Sequence, residues 1–325
     1  MGVVTKPIAL DETLNKVVDK LHVQNILLEA IAGGGQIEPW SSFEEISAIV
    51  RSGNASKVFA LGDQIVVPYT ATNGTVYQMP FDVVHFADVT LADGSTRHGM
   101  FLQSHYATLE GVQFDAPEPN NTLGSGGATD TNVASYGYNR WSESGIRAWL
   151  NSNAAANGWW GAYFERNGSQ VARRAADVAP DQLASVNGFM KGLPDDFKAV
   201  LGNIKVKTSC NTVTDSGVTD ETFDTFFCPS LEQMYGPPQI ADVEGPAWDY
   251  WKARLGLTSP ASHYPTIYPN YITYALENHS SAQYVRLRSA ARVYSCNTWY
   301  VSTTGYLNDH NANSAFRCAP ACVVI

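Results

Sequence analysis

Two dipeptides, Asn73-Gly74 and Asp93-Gly94, restrict the fold of this 325-residue chain more than any other feature, because each sits between alternating apolar runs. Such pairs accept the left-handed backbone angles of tight antiparallel turns at little steric cost. The flanking segments FALGDQIVVPYTATNGTVYQM, FDVVHFADVTL and STRHGMFLQSHYA therefore read as successive antiparallel strands from Val58 to about Ala107. Strand patterns return at Asn203–Ser209, Tyr284–Ser289, Trp299–Thr303 and Ala319–Ile325. Helical signals are short. Ser42-Phe43-Glu44-Glu45 is a capping-box sequence ahead of a helix to Arg51. Ser142 is a candidate N-cap for a helix carrying Ile146, Trp149 and Leu150 on one face. Helices are also expected after Pro180 (DQLASVNGFMKGL) and Pro194 (DDFKAVLG), since proline suits a first turn. Many short strands with a few helices give an α+β assignment.

The first 35 residues follow a different logic. Leu10, Leu14, Val17, Leu21, Gln24, Leu28 and Ile31 alternate four-three in spacing, which predicts one helical seam with a polar break at Gln24. Two readings stay open: a self-associating stalk, with a trimer favoured, or an amphipathic helix folded back on its own domain. Gly33-Gly34-Gly35 then acts as a joint. The expected layout is a stalk and linker at 1–35, a helix plus hairpin region at 36–110, and a main domain at 111–325 with a polar loop across 115–135. No apolar run approaches membrane-spanning length, and no secretory leader is read in MGVVTKPIALDETLNK. Lys6 stands where a myristoylation signal needs Ser or Thr. The five Cys, an odd number, read as buried free thiols of a reducing compartment, with a disulfide across Cys318-Ala-Pro-Ala-Cys322 as the alternative.

Composition matters most at the C-terminal end. Residues 284–325 contain no Lys, Glu, Gln or Met, whereas the first 283 hold nine, thirteen, eleven and five of them. At that rate about five or six would be expected in the tail. Tyr, Asn, Ser, Arg and Thr fill the space, a palette of rigid aromatic anchors and short adaptable polar groups found on antibody-like contact surfaces. Charge divides at the same place. The tail carries four Arg against one Asp, while the whole chain carries −10. An acidic body disfavours nucleic acid and anionic membranes, and a mildly basic end suggests a separate role for that end.

With these residues laid out, the chain resembles a phage-associated family with a C-type-lectin-like domain, found among variable proteins of diversity-generating retroelements. The matching segments are, in order, Phe59-Ala-Leu-Gly-Asp63-Gln-Ile, Asn139-Arg140-Trp141-Ser142-Glu-Ser-Gly145-Ile-Arg147-Ala-Trp149-Leu-Asn151, Phe227-Cys-Pro-Ser230-Leu-Glu232, Leu287-Arg288-Ser289, Trp299-Tyr-Val301 with Gly305, and Arg317-Cys-Ala-Pro320-Ala-Cys322. They cover roughly residues 36–325. In such families template adenines are mutated and the copy replaces the 3′ end of the gene. Asparagine codons so randomised, with the final pyrimidine kept, never yield Lys, Glu, Gln, Met or Trp. The resemblance thus implies an α+β, C-type-lectin-like domain, related in fold to formylglycine-generating enzymes, behind an N-terminal helical segment. It implies a virion-borne protein that binds a host-surface or environmental ligand, meets other virion proteins through its N-terminal segment, and forms a homo-oligomer. Neither nucleic-acid binding nor membrane insertion is expected.

The expected variable contact positions are Arg292, Tyr294, Ser295, Asn297, Tyr300, Ser302, Tyr306, Asn308, Asp309, His310, Asn311, Asn313, Ser314 and Phe316. Arg288, Trp299, Gly305, Pro320 and Cys322 are expected to be frame. One alternative is that Asn308–Ser314 is a plain solvated loop, and another is a non-variable structural virion protein of tail or capsid whose C-terminal end packs against a neighbour. A remoter one is a formylglycine-generating-like oxidase using Cys318 and Cys322, although Pro320 and the spacing depart from that pattern. No catalytic residue, cofactor or metal set is expected otherwise. The seven His are scattered without HExxH or paired Cys/His spacing, and no nucleophile elbow occurs. Glu118-Pro119-Asn120 copies a lectin tripeptide but lacks partners, and Ca²⁺ needs six to eight oxygens. Tyr136, Tyr138, Trp141, Trp149, Trp159 and Trp160 read as core rather than as a sugar platform.

Overall fold

The computed structural model describes residues 42–118, 133–261 and 268–325, together with Leu21. The stalk expected at 1–35 and residues 119–132 of the polar loop lie outside the described residues. What is described is a mixed α/β structure, mostly strands, arranged in several small sheets with few helices.

Helix α1 (Phe43–Arg51) begins as its sequence predicts, with the Ser42 hydroxyl accepting the Glu45 N–H at 3.3 Å. A one-turn helix, α2 (Ala55–Val58), leads to the three-stranded meander β1 (Gln64–Thr70), β2 (Val76–Thr90) and β3 (Thr96–Ser104). Both turn glycines adopt positive φ, 83° at Gly74 and 82° at Gly94. In each turn the preceding carboxamide or carboxylate, Asn73 or Asp93, accepts the N–H two residues on. Strand β1 alternates, burying Ile65, Val67 and Tyr69.

The middle departs from expectation at several points. After β4 (Val112–Gln113) and α3 (Val133–Tyr136), residues Trp141–Glu143 form a 3-10 turn, and α4 (Gly145–Leu150) starts only then. Its cap is Ser144, not Ser142: Ser144 accepts the Arg147 N–H, while the Ser142 hydroxyl donates to Asp220 at 2.7 Å. A hairpin not foreseen, β5 (Tyr163–Arg166) and β6 (Ser169–Ala172), turns on Asn167-Gly168 with φ of 52° and 71°. The helix expected after Pro180 breaks into two 3-10 turns, Asp181–Ala184 and Phe189–Gly192. The carbonyls between them, on Val186 and Asn187, are taken by the indole N–H groups of Trp159 and Trp149 at 2.9 Å each. Helix α5 (Asp195–Ala199) follows Pro194 as predicted, and β7 (Ile204–Ser209) finds an unforeseen partner in β8 (Thr219–Asp224). Helix α6 (Asp249–Leu255) ends at Gly256 with φ 61°.

The C-terminal part forms β9 (Val285–Ala290), β10 (Asn297–Val301), β11 (Leu307–Asn311), β12 (Ala315–Phe316) and β13 (Ala321–Val324). Strands β11-β10-β9 make an antiparallel sheet of their own, and β12 pairs with β4. That pairing brings the chains so close that a Cβ at Gly111 would sit 2.4 Å from the Ala315 carbonyl. Strand β13 crosses back to β3 and completes the sheet β1-β2-β3-β13. The boundary expected near residue 110 therefore separates no cores. Phe81 of β2 packs on Phe197 and Phe226, and Phe189 joins Phe226, Trp149 and Tyr69, in one continuous interior that also holds Val323 and Val324. Tyr138, Trp141, Trp149 and Trp159 are buried, as their density in the sequence predicts.

Candidate functional site

The C-terminal sheet presents a face built by strand register. Tyr300 lies opposite Asn308, Thr298 opposite His310, and Tyr300 opposite Arg286, so these side chains share one side. Tyr284, two residues before Arg286, joins them. The rings form a cluster: Tyr284 stacks on Phe316 at 4.8 Å, and Tyr300 meets Tyr284 edge-on at 5.4 Å and Phe316 at 5.2 Å. His310 lies 5.3 Å from Phe316 and exchanges a hydrogen bond with the Ser314 hydroxyl at 3.1 Å. Tyr284 remains 42% exposed and His310 is exposed, while Phe316, Asn308 and Ser314 are half-buried. Partial burial of the ring against its neighbours, then the Arg286 charge, holds the His310 imidazole below its ordinary range.

Beneath the cluster lies Arg286, fully buried. Its guanidinium donates to the carbonyls of His310 (3.2 Å), Asn311 (3.0 Å), Ser314 (3.0 Å) and Thr298 (3.4 Å) and to the Thr298 hydroxyl (2.6 Å). Phe316 covers it at 4.3 Å. The turn before β10 is held in the same manner. Asn139 donates to the carbonyls of Tyr294 and Asn297 at 2.8 Å each, and its own carbonyl accepts from Asn211 at 3.0 Å. Arg140 and Asp215 flank that bond, with Arg140 paired to Asp220 at 2.7 Å. Backbone-to-backbone bonds complete the support: Ala312 N–H to Cys296 O, Asn313 N–H to Tyr136 O, and Asp115 N–H to Ala312 O.

Of the fourteen expected contact positions, Tyr300, Asn308, His310, Ser314 and Phe316 come together here. Asn311 and Asn313 lie alongside, half-buried, with the Asn313 amide on the Ser135 carbonyl. Asp309 projects from the opposite face and accepts from Asn297 at 2.7 Å. Arg292 and Tyr294 sit at the β9–β10 turn, where Arg292 donates to the carbonyls of Cys210 and Gly217. Tyr306 is half-buried at the β10–β11 turn.

Four expectations need correction. Ser295, Asn297 and Ser302 are buried, at 0%, 7% and 1% exposure, and their polar groups serve the fold. The Ser302 hydroxyl accepts the N–H groups of Thr304 and Tyr306 in a turn that needs Gly305 at φ 80°. Tyr300, 5% exposed, is a wall of the ring cluster rather than a projecting contact. Residues Asn308–Asn311, open to a loop reading from their composition, are strand. Tyr284 and Arg286 were missed. The signal available was position, since both precede the Leu287-Arg288-Ser289 segment in strand alternation.

Of the expected frame residues, Arg288, Pro320 and Cys322 are buried, Gly305 takes its turn at φ 80°, and Trp299 is half-buried. Arg288 donates to the carbonyls of Cys228 and Glu244 and to Gln233. All five Cys are free and buried. Burial pushes the Cys322 thiol well up, away from the thiolate that cysteine chemistry uses. Among the described residues no group of three or more His, Cys, Asp or Glu is placed to hold a metal. Glu118, the described member of the lectin-like tripeptide, pairs with Arg174 at 3.1 Å.

Residues 112–324, from β4 to β13, match the family model described as "Domain of unknown function (DUF6273)". The chain belongs to that family. The matched DUF6273 region takes in the ring cluster, both carbonyl clamps and the returning β13, and it leaves out the β1–β3 meander on which β13 closes. No curated protein and no solved structure matches the chain.

Proposed function

We propose that this DUF6273 protein is a virion-borne ligand-binding protein with a C-type-lectin-like domain, whose C-terminal face is a diversified recognition surface. One observation carries the reading. The segments 294–297 and 310–314 are fixed through their carbonyls by side chains outside them, those of Asn139 and Arg286. A backbone held by its carbonyls keeps its path whatever side chains it bears, so the exposed ones are free to change. The missing Lys, Glu, Gln and Met of residues 284–325 supports the same reading through codon chemistry. Binding energy would come from the ring cluster, with Asn308, Asn313 and Ser314 adapting to the target. The protein acts by binding and not by catalysis, and the 1–35 segment serves oligomerisation, a trimer being favoured, and attachment to other virion parts. Copies in a trimer would add weak single-site affinities by avidity.

The test is a pair of libraries displayed on cells and scored by protease resistance. Full randomisation of Asn308, His310, Asn313 and Ser314 should leave most members folded, whereas randomisation of Ser295, Asn297, Ser302 and Arg286 should leave few. Equal loss in both libraries would overturn the proposal. A nearby near-copy of the 3′ coding end differing only at adenines is the expected genomic companion.

A further inference from the structure

We infer that the ring cluster favours a sugar bearing a single carboxylate over its neutral counterpart, and that this preference belongs to the frame rather than to the exchangeable side chains. The inference rests on the recognition reading of the same face. Arg286 is the source. Its five acceptors are four carbonyls and a hydroxyl, all neutral, and it makes no ion pair with a carboxylate among the described residues. Carbonyl dipoles solvate a guanidinium without cancelling its net charge. Its Nε–H, buried, has no acceptor. Arg317, by contrast, is neutralised by Glu277 through two bonds of 2.7 and 2.8 Å. The single acid of residues 284–325, Asp309, points to the other face, where the Asn297 amide binds it, and its charge acts on His310 less than that of Arg286 does.

The field of Arg286 therefore emerges through Phe316 and His310, where it adds to partial burial in lowering the imidazole's affinity for a proton. What solvent meets there are the rings of Tyr284 and His310 and the uncovered part of Phe316, which already meets Arg286 and Tyr284, beside the short polar groups of Asn308 and Ser314. Rings stack on the C–H faces of a pyranose, and amide and hydroxyl groups serve its hydroxyls. An extended acidic peptide is less suited. The Asp309 N–H is already held by Asn308 and the Asn311 carbonyl by Arg286, so β11 offers a poor edge for strand pairing. A polyanion would also meet the rest of the chain, which carries −13 once the four Arg and one Asp of 284–325 are set aside from the total of −10.

The experiment titrates the folded full chain at low salt with methyl β-D-glucuronide and with methyl β-D-glucoside, the same ring with and without the carboxylate. Backbone and ring resonances of Tyr284, His310 and Phe316 are followed by NMR. The glucuronide should bind roughly tenfold more tightly, the effect of one unscreened charge at this range. The ratio should persist in His310→Ala and Asn308→Ala, while Tyr284→Ala should weaken both sugars together. Equal affinity for the two sugars, or no response to either, overturns the inference. So does a stronger response at the same resonances to a glutamate dipeptide. None of these results touches the outcome of the library experiment, which reads folding alone.

Discussion

The β1–β2–β3 meander and the β9–β10–β11 sheet are both three-stranded and antiparallel and share one core, yet only the second is also clamped through its carbonyls. The meander depends on its own side chains. Met79, Phe81, Val83, Met100 and Leu102 are fully buried, and exchanging any of them alters the packing of the interior. The C-terminal sheet buries Val285, Leu287, Val301 and Leu307 as well, but its outer strand and turns are gripped in addition through their carbonyls, residues 298 and 310–314 by Arg286 of its own β9 and residues 294 and 297 by Asn139. A strand held by packing specifies its residues. A strand held by its backbone specifies only its path.

The largest effect should come from breaking one clamp and one packing residue and comparing what is lost. Phe81→Ala empties a site in contact with Phe197 and Phe226 and should cost about 3–5 kcal/mol, spread across the interior. Arg286→Met removes the donor from five acceptors and should cost a similar amount, about 3–5 kcal/mol. Hydrogen exchange separates the two. The Arg286 variant should lose protection first at 307–316 while β1–β3 stays protected. Uniform loss of protection in both variants would remove the distinction between the sheets.

How much of this was legible in the sequence follows the same division. The meander is legible because glycine-based turns and alternating apolar residues are local signals, and β13 reads as a strand for the same reason. Its return to β3 is not legible, since pairing between residues more than two hundred positions apart leaves no local trace. The β5–β6 hairpin carries its signal in Asn167-Gly168, but its flanks, YFER and SQVA, alternate only weakly. Strand β11 (LNDHN) has turn composition and becomes a strand through its pairing with β10. At the site, residue type marked the surface but not the depth. Ser295, Asn297 and Ser302 look like Asn308 and Ser314 in composition, and only their hydrogen bonds distinguish buried props from exposed contacts.

A second test asks whether the polar support beneath the C-terminal sheet makes it sensitive to pH. Asp115 is buried beside Tyr138, whose N–H it accepts at 2.8 Å, and its own N–H supports Ala312. Burial pushes its carboxyl up to about 8, with a smaller push from Asp177. A carboxyl raised in the folded state binds its proton more tightly there than when unfolded. Its contribution to stability is thus full below about pH 4 and is lost progressively as pH rises through 8. Asp115→Asn keeps an acceptor for Tyr138 and should be free of this loss. Its stability relative to the unaltered chain, read from urea unfolding, should rise between pH 5 and 8 by up to about 1 kcal/mol per pH unit. A difference that stays flat across that range would show that the site tolerates the charge.

The smallest effects test the comparison most finely, inside one hairpin. Ser302 and His310 both belong to the tail palette, but the Ser302 hydroxyl accepts two N–H groups of the β10–β11 turn and His310 is exposed. Ser302→Ala leaves those donors without an acceptor in a buried turn and should cost about 1–2 kcal/mol. His310→Ala gives up the exchange with Ser314 and the ring contacts of an exposed side chain with Phe316 and Tyr300, and should lie within about 0.5 kcal/mol of the unaltered chain. Asn308→Ala should fall between them, because it releases the Asp309 N–H at a half-buried position. If thermal unfolding ranked His310 as the costliest of the three, the exposed ring would be part of the frame, and the freedom of that surface to change would be lost with it.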